Sequence, residues 1–286
     1  MTVEPRRRDL VGAPAAEPAL DLTFRRSGGR TRLCEQTVRY PFHITRPFYF
    51  DTVSAPGLAT LYLQSASGGL YRGERLPVRV VADEGAEVCL TTQSSTVVHH
   101  ARGVPTVSAT TIEAADGAVV FHLPDPLILL PGADLRSAVR VRRHAGATVI
   151  ASEAFLCHDP AADGRTFAAF ANELRFETPH GEAEAIDRQV LTGADLATAS
   201  RLGESVAAGG FLIAGPPAAE ADPVAFRGRI GAVEGARIGV SRLPFETGLS
   251  VRIAADGGVA LTRALDAVFG AAFQLIYGAE PVRRRK

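Results

Sequence analysis

Gly85-Ala86-Glu87-Val88 is the stretch that decides the fold, because it sets a Gly-Ala pair before an apolar β-branched residue and then recurs. Its later copies are Gly117-Ala118-Val119-Val120, Gly146-Ala147-Thr148-Val149 and Gly235-Ala236-Arg237-Ile238. The first three copies start 32 and 29 residues apart. Glycine provides the positive φ angle of a turn, and alanine lets the next strand pack closely on its neighbour. This spacing indicates solenoid-like coils or repeated hairpins, and either arrangement makes the body of the protein β.

Strand-like sequence surrounds these turns over residues 70–176. Short stretches such as Leu76, Val78 and Val80, or Val139 and Val141, carry alternating or β-branched residues between Gly, Asp and Pro turns. We therefore expect a mainly β fold: a many-stranded sandwich or a β-helix-like scaffold, with one or two helices near the C-terminus.

One amphipathic helix is predicted near the C-terminus, where apolar residues recur at spacings of three and four. These residues are Leu261, Leu265, Val268, Phe269, Ala272 and Leu275. Gly278 and Pro281 are expected to end the helix. A weaker helix is predicted over residues 195–204, and helical signal is otherwise absent from the sequence.

The chain is expected to form a flexible N-terminal arm (1–19), one β-rich domain (20–280) and a basic tail (281–286). The arm is rich in Pro, Ala and Arg and lacks a hydrophobic period. No apolar stretch follows Arg6, Arg7 and Arg8, so we expect no secretory signal. No run of about twenty apolar residues is evident, which argues against a membrane-spanning helix. Three widely separated cysteines are typical of a cytoplasmic protein.

Charge and composition exclude several functions. The 31 basic and 31 acidic residues cancel, which disfavours binding to nucleic acid or to an anionic membrane. Lys286 is the single lysine, so a phosphate-binding Walker loop and Schiff-base chemistry lack their amine. The glycine-rich stretch Gly68-Gly69-Leu70-Tyr71-Arg72-Gly73 lacks the spacing of a nucleotide cradle.

Cys157-His158-Asp159 contains the residue types of a hydrolytic triad. Neighbouring side chains on a strand point to opposite faces, so Cys157 and His158 would not meet. On the predicted strand, Cys157 shares a face with Val149 and Phe155, and Glu153 is the polar exception on that face. Because a free cysteine is commonly buried and inert, we interpret Cys157 as structural rather than catalytic.

The histidines give a weak metal signal. His99-His100 and the isolated His43, His122, His144 and His180 show no pair at a spacing of four. Solvated or hydrogen-bonded histidines are favoured over a fixed metal site. A transient site for a passing ion remains open.

Two polar segments have both a structural and a functional interpretation. Thr91-Thr92-Gln93-Ser94-Ser95-Thr96 is either an exposed strand end or a polar wall that solvates an ion without holding it. In Leu123-Pro124-Asp125-Pro126-Leu127-Ile128, the prolines hold the backbone around the carboxylate stiffly. Asp125 is therefore either part of a turn or a positioned ligand.

Several segments of the sequence occur in a fixed order: Ser67-Gly68-Gly69, Gly73-Glu74-Arg75-Leu76, Gly85-Ala86, Leu90-Thr91-Thr92-Gln93, Leu123-Pro124-Asp125-Pro126-Leu127-Ile128 and Gly132-Ala133. In this order they resemble the UreD (UreH) family of urease accessory proteins. Two earlier stretches, 29–33 and 46–49, resemble the opening of that family. The chain departs from the family at Glu74, where aspartate is usual, and at Val97-Val98-His99-His100, where a Lys-Val-Tyr-Arg-like segment is usual.

The resemblance implies a non-catalytic scaffold for nickel incorporation into urease apoprotein. Such a protein would bind UreF, and UreG through UreF, and would conduct nickel through an internal tunnel. It implies no tightly bound cofactor and no fixed metal site, only transient nickel. The alternatives are a cysteine- or metal-dependent hydrolase and a β-solenoid-like module that binds carbohydrate or protein.

The residues and the resemblance together give two site hypotheses. We expect Thr92, Gln93, Asp125 and Glu153 to border a water-filled nickel passage with weak oxygen ligation. Partner binding is assigned to the terminal helix and to an apolar surface, with Phe48, Tyr49, Leu265 and Phe269 as the contact residues.

Overall fold

β-strands form most of the protein. Successive side chains on a strand point to opposite faces, so each strand places every second side chain on one face. The structure, a computed structural model, describes residues 17–197 and 205–282. Most of residues 1–19, part of the helix expected over 195–204, and residues 283–286 of the basic tail lie outside these ranges.

The strands and helices follow in chain order. The strands are β1 Leu20–Ser27, β2 Arg30–Val38, β3 Phe42–Ile44, β4 Ala59–Ser65, β5 Arg75–Ala82, β6 Glu87–Thr92, β7 Thr96–Val98, β8 Thr106–Ala114, β9 Val119–Leu123, β10 Leu127–Leu129, β11 Asp134–Arg143, β12 Thr148–Cys157, β13 Ala169–Glu177, β14 Ala183–Leu191, β15 Ala207–Ala214, β16 Ala236–Arg242 and β17 Gly248–Ala255. The helices are α1 Gly193–Ala197, α2 Pro216–Ala219, α3 Pro223–Ile230 and α4 Gly258–Tyr277, and a 3-10 turn spans Pro244–Glu246.

The strands form two sheets. Sheet A has seven strands in the order β14-β13-β11-β8-β5-β1-β2. Sheet B has ten, in the order β16-β17-β15-β12-β9-β6-β4-β3, with β10 beside β12 and β7 beside β10. The predicted mainly β scaffold is confirmed, with features of both a sandwich and a β-helix.

The Gly-Ala turns connect the sheets in three successive coils. Each coil passes from a strand of sheet A (β5, β8 or β11) through a turn to a strand of sheet B (β6, β9 or β12). Within each sheet these strands are parallel neighbours. Gly85 and Gly117 take positive φ angles of 64° and 68°, as the turn requires. The open choice between coils and hairpins is thus resolved as coils.

Three apolar clusters fill the fold. The main core lies between the sheets at the end with the Gly-Ala turns, and includes Val80, Val120 and Val149. An end core lies between the sheets at the opposite end, around Phe155 and Phe170. An outer core joins the other face of sheet B to α4. Sheet B is therefore covered on both faces.

Helix α4 confirms the predicted C-terminal helix. It ends at Gly278, whose φ of 70° is left-handed and whose N–H bonds to the carbonyl of Gln274 at 2.9 Å. Of the weaker helix, the structure describes α1, and the remainder lies beyond residue 197. The expectation of helical signal only in these two places is wrong, because α2 and α3 also form.

Helix α3 carries a start signal that hydrophobic periodicity does not detect. The carboxylate of Asp222 accepts the N–H of Ala225 at 2.7 Å, and Pro223 follows at the first helical position. An acidic cap followed by proline therefore predicts this helix even though its apolar pattern is weak.

By length and composition, α4 is the one helix in the described part of the chain that could cross a membrane. Its sequence includes Thr262, Arg263 and Asp266, so α4 is not a continuous run of about twenty apolar residues. In this structure the apolar stripe of α4 packs on sheet B, and Leu261, Val268 and Phe273 are fully buried. Its hydrophobicity fits a core helix.

Candidate functional site

Inward-facing side chains change along the strands from apolar to polar and back to apolar. On β12, Ala151 belongs to the main core, Glu153 follows on the same face, and Phe155 belongs to the end core. Polar residues at this level face the space between the sheets on neighbouring strands as well. We call them the polar layer: Thr92, His122 and Glu153 from sheet B, and Ser108, Thr110, Ser137, Asn172, Asp187 and Gln189 from sheet A.

A cavity of about 400 Å³ occupies one side of the polar layer. Such a volume holds on the order of ten waters. Thr92, Gln93, Asp125 and Glu153, the residues predicted to border a passage, all line this one cavity. The structure therefore brings together side chains up to 61 residues apart in the sequence. Their proposed part in nickel transport remains a prediction.

Thr92 and Asp125 are joined by two hydrogen bonds in the wall of the cavity. The Thr92 hydroxyl donates to Asp125 Oδ2 at 3.0 Å and accepts the backbone N–H of Asp125 at 2.8 Å. Asp125 lies between Pro124 and Pro126, which limit the backbone conformations around it. Its carboxylate is therefore held in place at the cavity wall.

The exposed side of the cavity is lined by amides and hydroxyls. Gln64 Nε2 donates to Gln93 Oε1 at 2.7 Å, and Gln64 Oε1 lies 2.8 Å from His43 Nδ1. Gln93 and Ser94 are exposed, whereas Glu153 is 7% exposed. The cavity thus runs from the surface to a buried carboxylate.

Glu153 is the most unusual group in the cavity. Neither of its carboxylate oxygens forms a hydrogen bond of good geometry, although the hydroxyl of Ser137 interacts with the carboxylate. Burial raises the pKa of Glu153 to about 8, while Ser137 lowers this pKa and Asp187 raises it to lesser extents. A buried acid without a hydrogen bond of good geometry is costly to the fold, and this cost points to a function.

His122, expected from the sequence to be a solvated or hydrogen-bonded histidine, is a cavity residue. It is 8% exposed, lines the cavity, and its Nδ1 has no hydrogen-bond partner. Burial lowers the pKa of His122 to about 4, so the imidazole is neutral. Aligning the Gly-Ala coils predicts that His122 points between the sheets. His122 lies five residues after Gly117, and the inward-facing Leu90 lies five residues after Gly85.

The polar layer continues beyond the cavity toward the opposite edge of the sandwich. Ser137 pairs in register with Asn172, whose side-chain oxygen is buried without a partner. On the facing sheet, Glu153 pairs with Gly210, which has no side chain to fill the space. Beyond them Asp187 forms a cross-sheet ion pair with Arg252. The layer ends there at the surface, where Arg252 and Gln189 line a shallow depression.

A small crevice connects the cavity wall to α4. Asp125, Pro124 and Ser152 line both the cavity and the crevice, whose other wall includes Leu265 and Phe269. Leu265 is partly exposed. Phe269 is 7% exposed and packs edge-on against Phe121 at 5.7 Å between ring centroids. Phe269 is therefore part of the outer core in this structure, and its expected part in partner binding remains a prediction.

Phe48 and Tyr49 differ in exposure. Phe48 is 42% exposed and stacks on Phe50 at 5.3 Å between centroids. Tyr49 is partly buried, and its hydroxyl donates to the carbonyl of Thr31 at 2.5 Å. Phe48 is thus available at the surface, whereas Tyr49 mainly holds the local structure together.

The residues around Cys157 do not form a nucleophilic site. Burial raises the pKa of the Cys157 thiol to about 12, which disfavours the reactive thiolate. His158 is exposed and its backbone N–H bonds to the carbonyl of Leu129 at 3.1 Å. In the described ranges, no three His, Cys, Asp or Glu side chains converge to hold a metal ion. The raised pKa of the thiol weighs against a nucleophilic role for Cys157.

Comparisons with known proteins give one consistent result. The protein-family profile described as "UreD urease accessory protein" matches residues 16–286. A Methylorubrum populi protein named "Urease accessory protein UreD 1" is 40% identical, over 99% of this chain and 97% of its own length. "Urease accessory protein UreD 3" of a Bradyrhizobium strain is 39% identical, over 95% of each chain. "Urease accessory protein UreD 1" of Pseudomonas syringae pv. tomato is 36% identical, over 90% of this chain and 91% of its own.

Proposed function

This chain belongs to the UreD urease accessory protein family, and from that premise we propose that it is a scaffold through which nickel reaches urease apoprotein. Its family supports a role in urease maturation. In this proposal the chain has no catalytic step of its own, acts in the cytoplasm, and binds neither nucleic acid nor membrane. It has no tightly bound cofactor, and nickel is its passing cargo.

The observation that carries the passage is the polar layer between two apolar cores. The layer begins at the exposed amides around Gln93 and passes the unpartnered groups of Glu153 and Asn172. It continues to the ion pair of Asp187 with Arg252 at the other edge. Buried polar atoms without partners are rare in folded proteins, because each costs free energy. Water and a hydrated cation would satisfy them, which supports a route for an ion.

The chemistry of the layer suits movement of nickel more than storage. Hydroxyls, amides and isolated carboxylates are weak ligands for a late first-row ion compared with clustered imidazoles or thiolates. A route of this kind lets the ion enter and leave.

In the proposed assembly, UreF binds this chain directly and brings UreG with it. The crevice beneath α4 favours this side for UreF, because Leu265 is partly exposed there and Asp125 connects the crevice with the cavity. The exposed ring of Phe48 provides a second apolar contact. The Asp187–Arg252 edge would then face urease apoprotein.

The passage is tested by urease activation at limiting nickel in cells that express the other accessory proteins. We expect Asp125→Ala and Glu153→Ala each to lower urease activity several-fold while UreF still co-purifies. Asn172→Leu, which replaces a polar side chain of the layer with an apolar one of similar size, should act likewise. The exposed acid Glu234, changed to alanine, is the matched control. Wild-type activation in all three cavity and layer variants would reject the passage.

Docking is tested separately by co-purification with UreF. We expect Leu265→Glu to abolish capture of UreF, because a charge would be placed in an apolar contact. Val259→Glu is the control, since Val259 lies on the same helix and is 69% exposed. Equal capture by both variants would place the UreF contact elsewhere on the chain.

A further inference from the structure

His122 and Glu153 lie on adjacent parallel strands and face the same space. His122 pairs in register with Ala151, so Glu153 is two residues further along the neighbouring strand. Val120 and Ala151 belong to the main core, whereas Phe121 and Ala154 belong to the outer core. His122 and Glu153 therefore both point between the sheets, as their place in the cavity lining requires.

The strand geometry places these two side chains within reach of a common ion. Neighbouring strands are about 4.8 Å apart and rise about 3.3 Å per residue, so the two Cα atoms are about 8 Å apart. An imidazole and a carboxylate that extend from such positions can meet at one ion. Thr92 occupies the mirrored position on the other side of His122, because His122 also pairs in register with Leu90.

Both side chains keep a free ligand atom. Neither carboxylate oxygen of Glu153 forms a hydrogen bond of good geometry, and His122 has an unpartnered Nδ1. Both residues are more than nine-tenths buried. The fold thus holds a nitrogen and an oxygen ligand out of bulk water with no hydrogen bond of good geometry to satisfy them, which is the arrangement expected of a ligand site.

We propose that His122 and Glu153 form a transient binding site for a divalent late first-row metal ion at the floor of the cavity. The proposal deepens the proposed function, on which it rests, by assigning the passing nickel one defined stop. Water and the hydroxyl of Ser137 complete the coordination of the ion. With only two side chains as its main ligands the site holds the ion weakly, in keeping with the lack of a three-residue cluster in the described part of the chain.

The donor set selects the class of ion. An imidazole favours nickel, cobalt, copper and zinc over magnesium and calcium, which prefer sets made only of oxygen. The cavity contains no cysteine, so the thiolate ligands that favour copper(I) are missing from it. Nickel and cobalt are therefore suitable probes.

The site is tested by titrating the purified full chain with Ni²⁺ alone. We expect His122→Gln and Glu153→Gln each to weaken binding at the cavity by about tenfold or more, at least as much as loss of an outer-shell partner of a ligand does. His158→Gln is the matched control, because His158 is an exposed histidine outside the cavity. His144→Gln, which removes the surface pair of His144 with Asp116, tests for binding at the exterior. Equal affinity in the wild type and both cavity variants would overturn the proposal.

A measurement on the wild type covers the case in which a cavity variant fails to fold. Paramagnetic Co²⁺ added below one equivalent should broaden the ring resonances of His122 before those of His158. Broadening of His158 with an unchanged His122 would reject the site. The two proposals fail differently: loss of Ni²⁺ binding with normal urease activation supports the site and rejects the passage. Lower urease activation with unchanged Ni²⁺ binding supports the passage and rejects the site.

Discussion

The main core and the polar layer occupy the same strands but have opposite effects on the stability of the fold. On β8, Ile112 and Ala114 are buried in the main core, whereas Ser108 and Thr110 line the cavity on the same face. The change from one region to the other takes place within two residues. Close packing at the turn end stabilises the sandwich, and this allows the other region to keep unpaired polar groups that reduce stability.

The largest contrast should come from truncating one inward residue in each region of β8. Ile112→Ala should lower the free energy of unfolding by about 3 kcal/mol, because it leaves a cavity in a packed core. Thr110→Ala, one inward position away, should cost less than about 1 kcal/mol, since water already reaches its side chain. Denaturant unfolding of both variants measures the difference. Similar losses would mean that the two regions are packed alike.

A larger side chain should also destabilise the main core more than the cavity wall. Ala118 is fully buried beside a Gly-Ala turn, and Ala118→Leu should destabilise the fold by about 2 kcal/mol through overpacking. Ser137→Val adds an apolar side chain of moderate size at the cavity wall and should change stability much less. Thermal unfolding of the two variants compares them. A large loss for Ser137→Val would show that the cavity wall is as tightly packed as the main core.

The smallest expected contrast is in the dependence of stability on pH. Burial raises the pKa of Glu153 to about 8 in the folded state, above its ordinary 4.5. Between these values the folded state binds the extra proton, so the free energy of unfolding falls as pH rises. Over pH 6.5 to 8 the loss from this group should be about 1.5 kcal/mol.

Glu153→Gln should remove that slope, and unfolding measured at several pH values checks it. The range above pH 6.5 isolates Glu153, because His122 contributes with the opposite sign at lower pH. The pKa of His122 is lowered from 6.5 to about 4, so its contribution to stability increases as pH rises through that range. An unchanged slope above pH 6.5 in the variant would assign the effect to other groups.

Local sequence signals predicted the turns, the terminal helix and part of the cavity. Glycine and alanine at fixed offsets reflect backbone angles and close packing, which are local properties. Glu153 was found because it interrupts an apolar face, and Asp125 because prolines flank it. Both signals can be read within a few residues.

The remaining features depend on contacts between distant segments. His122 becomes a cavity residue only when β9 lies between β6 and β12, and Asn172 joins the layer only through its register with Ser137. Phe269 belongs to the predicted apolar stripe, but its burial depends on Phe121 across the sheet. Periodicity shows that a face is apolar and does not identify what covers that face.

The turns that connect the sheets also have a constant length. Ala82, Ala114 and Arg143 end their strands at one level, and in each case the sheet B strand starts five residues later. The two spacings between the first three turns, 32 and 29 residues, therefore differ only because of the loops at the cavity end.

One residue inserted at a Gly-Ala turn of fixed span would shift the next strand by one residue and reverse its faces, and at the turn before β12 it would point Glu153 toward α4. Insertions in the loops around Gln93 or Asp125 leave that alternation intact, provided that the following strands keep their register. Insertions and deletions among related sequences should therefore occur mainly in the loops around the cavity entrance. The Gly-Ala turns should keep their length.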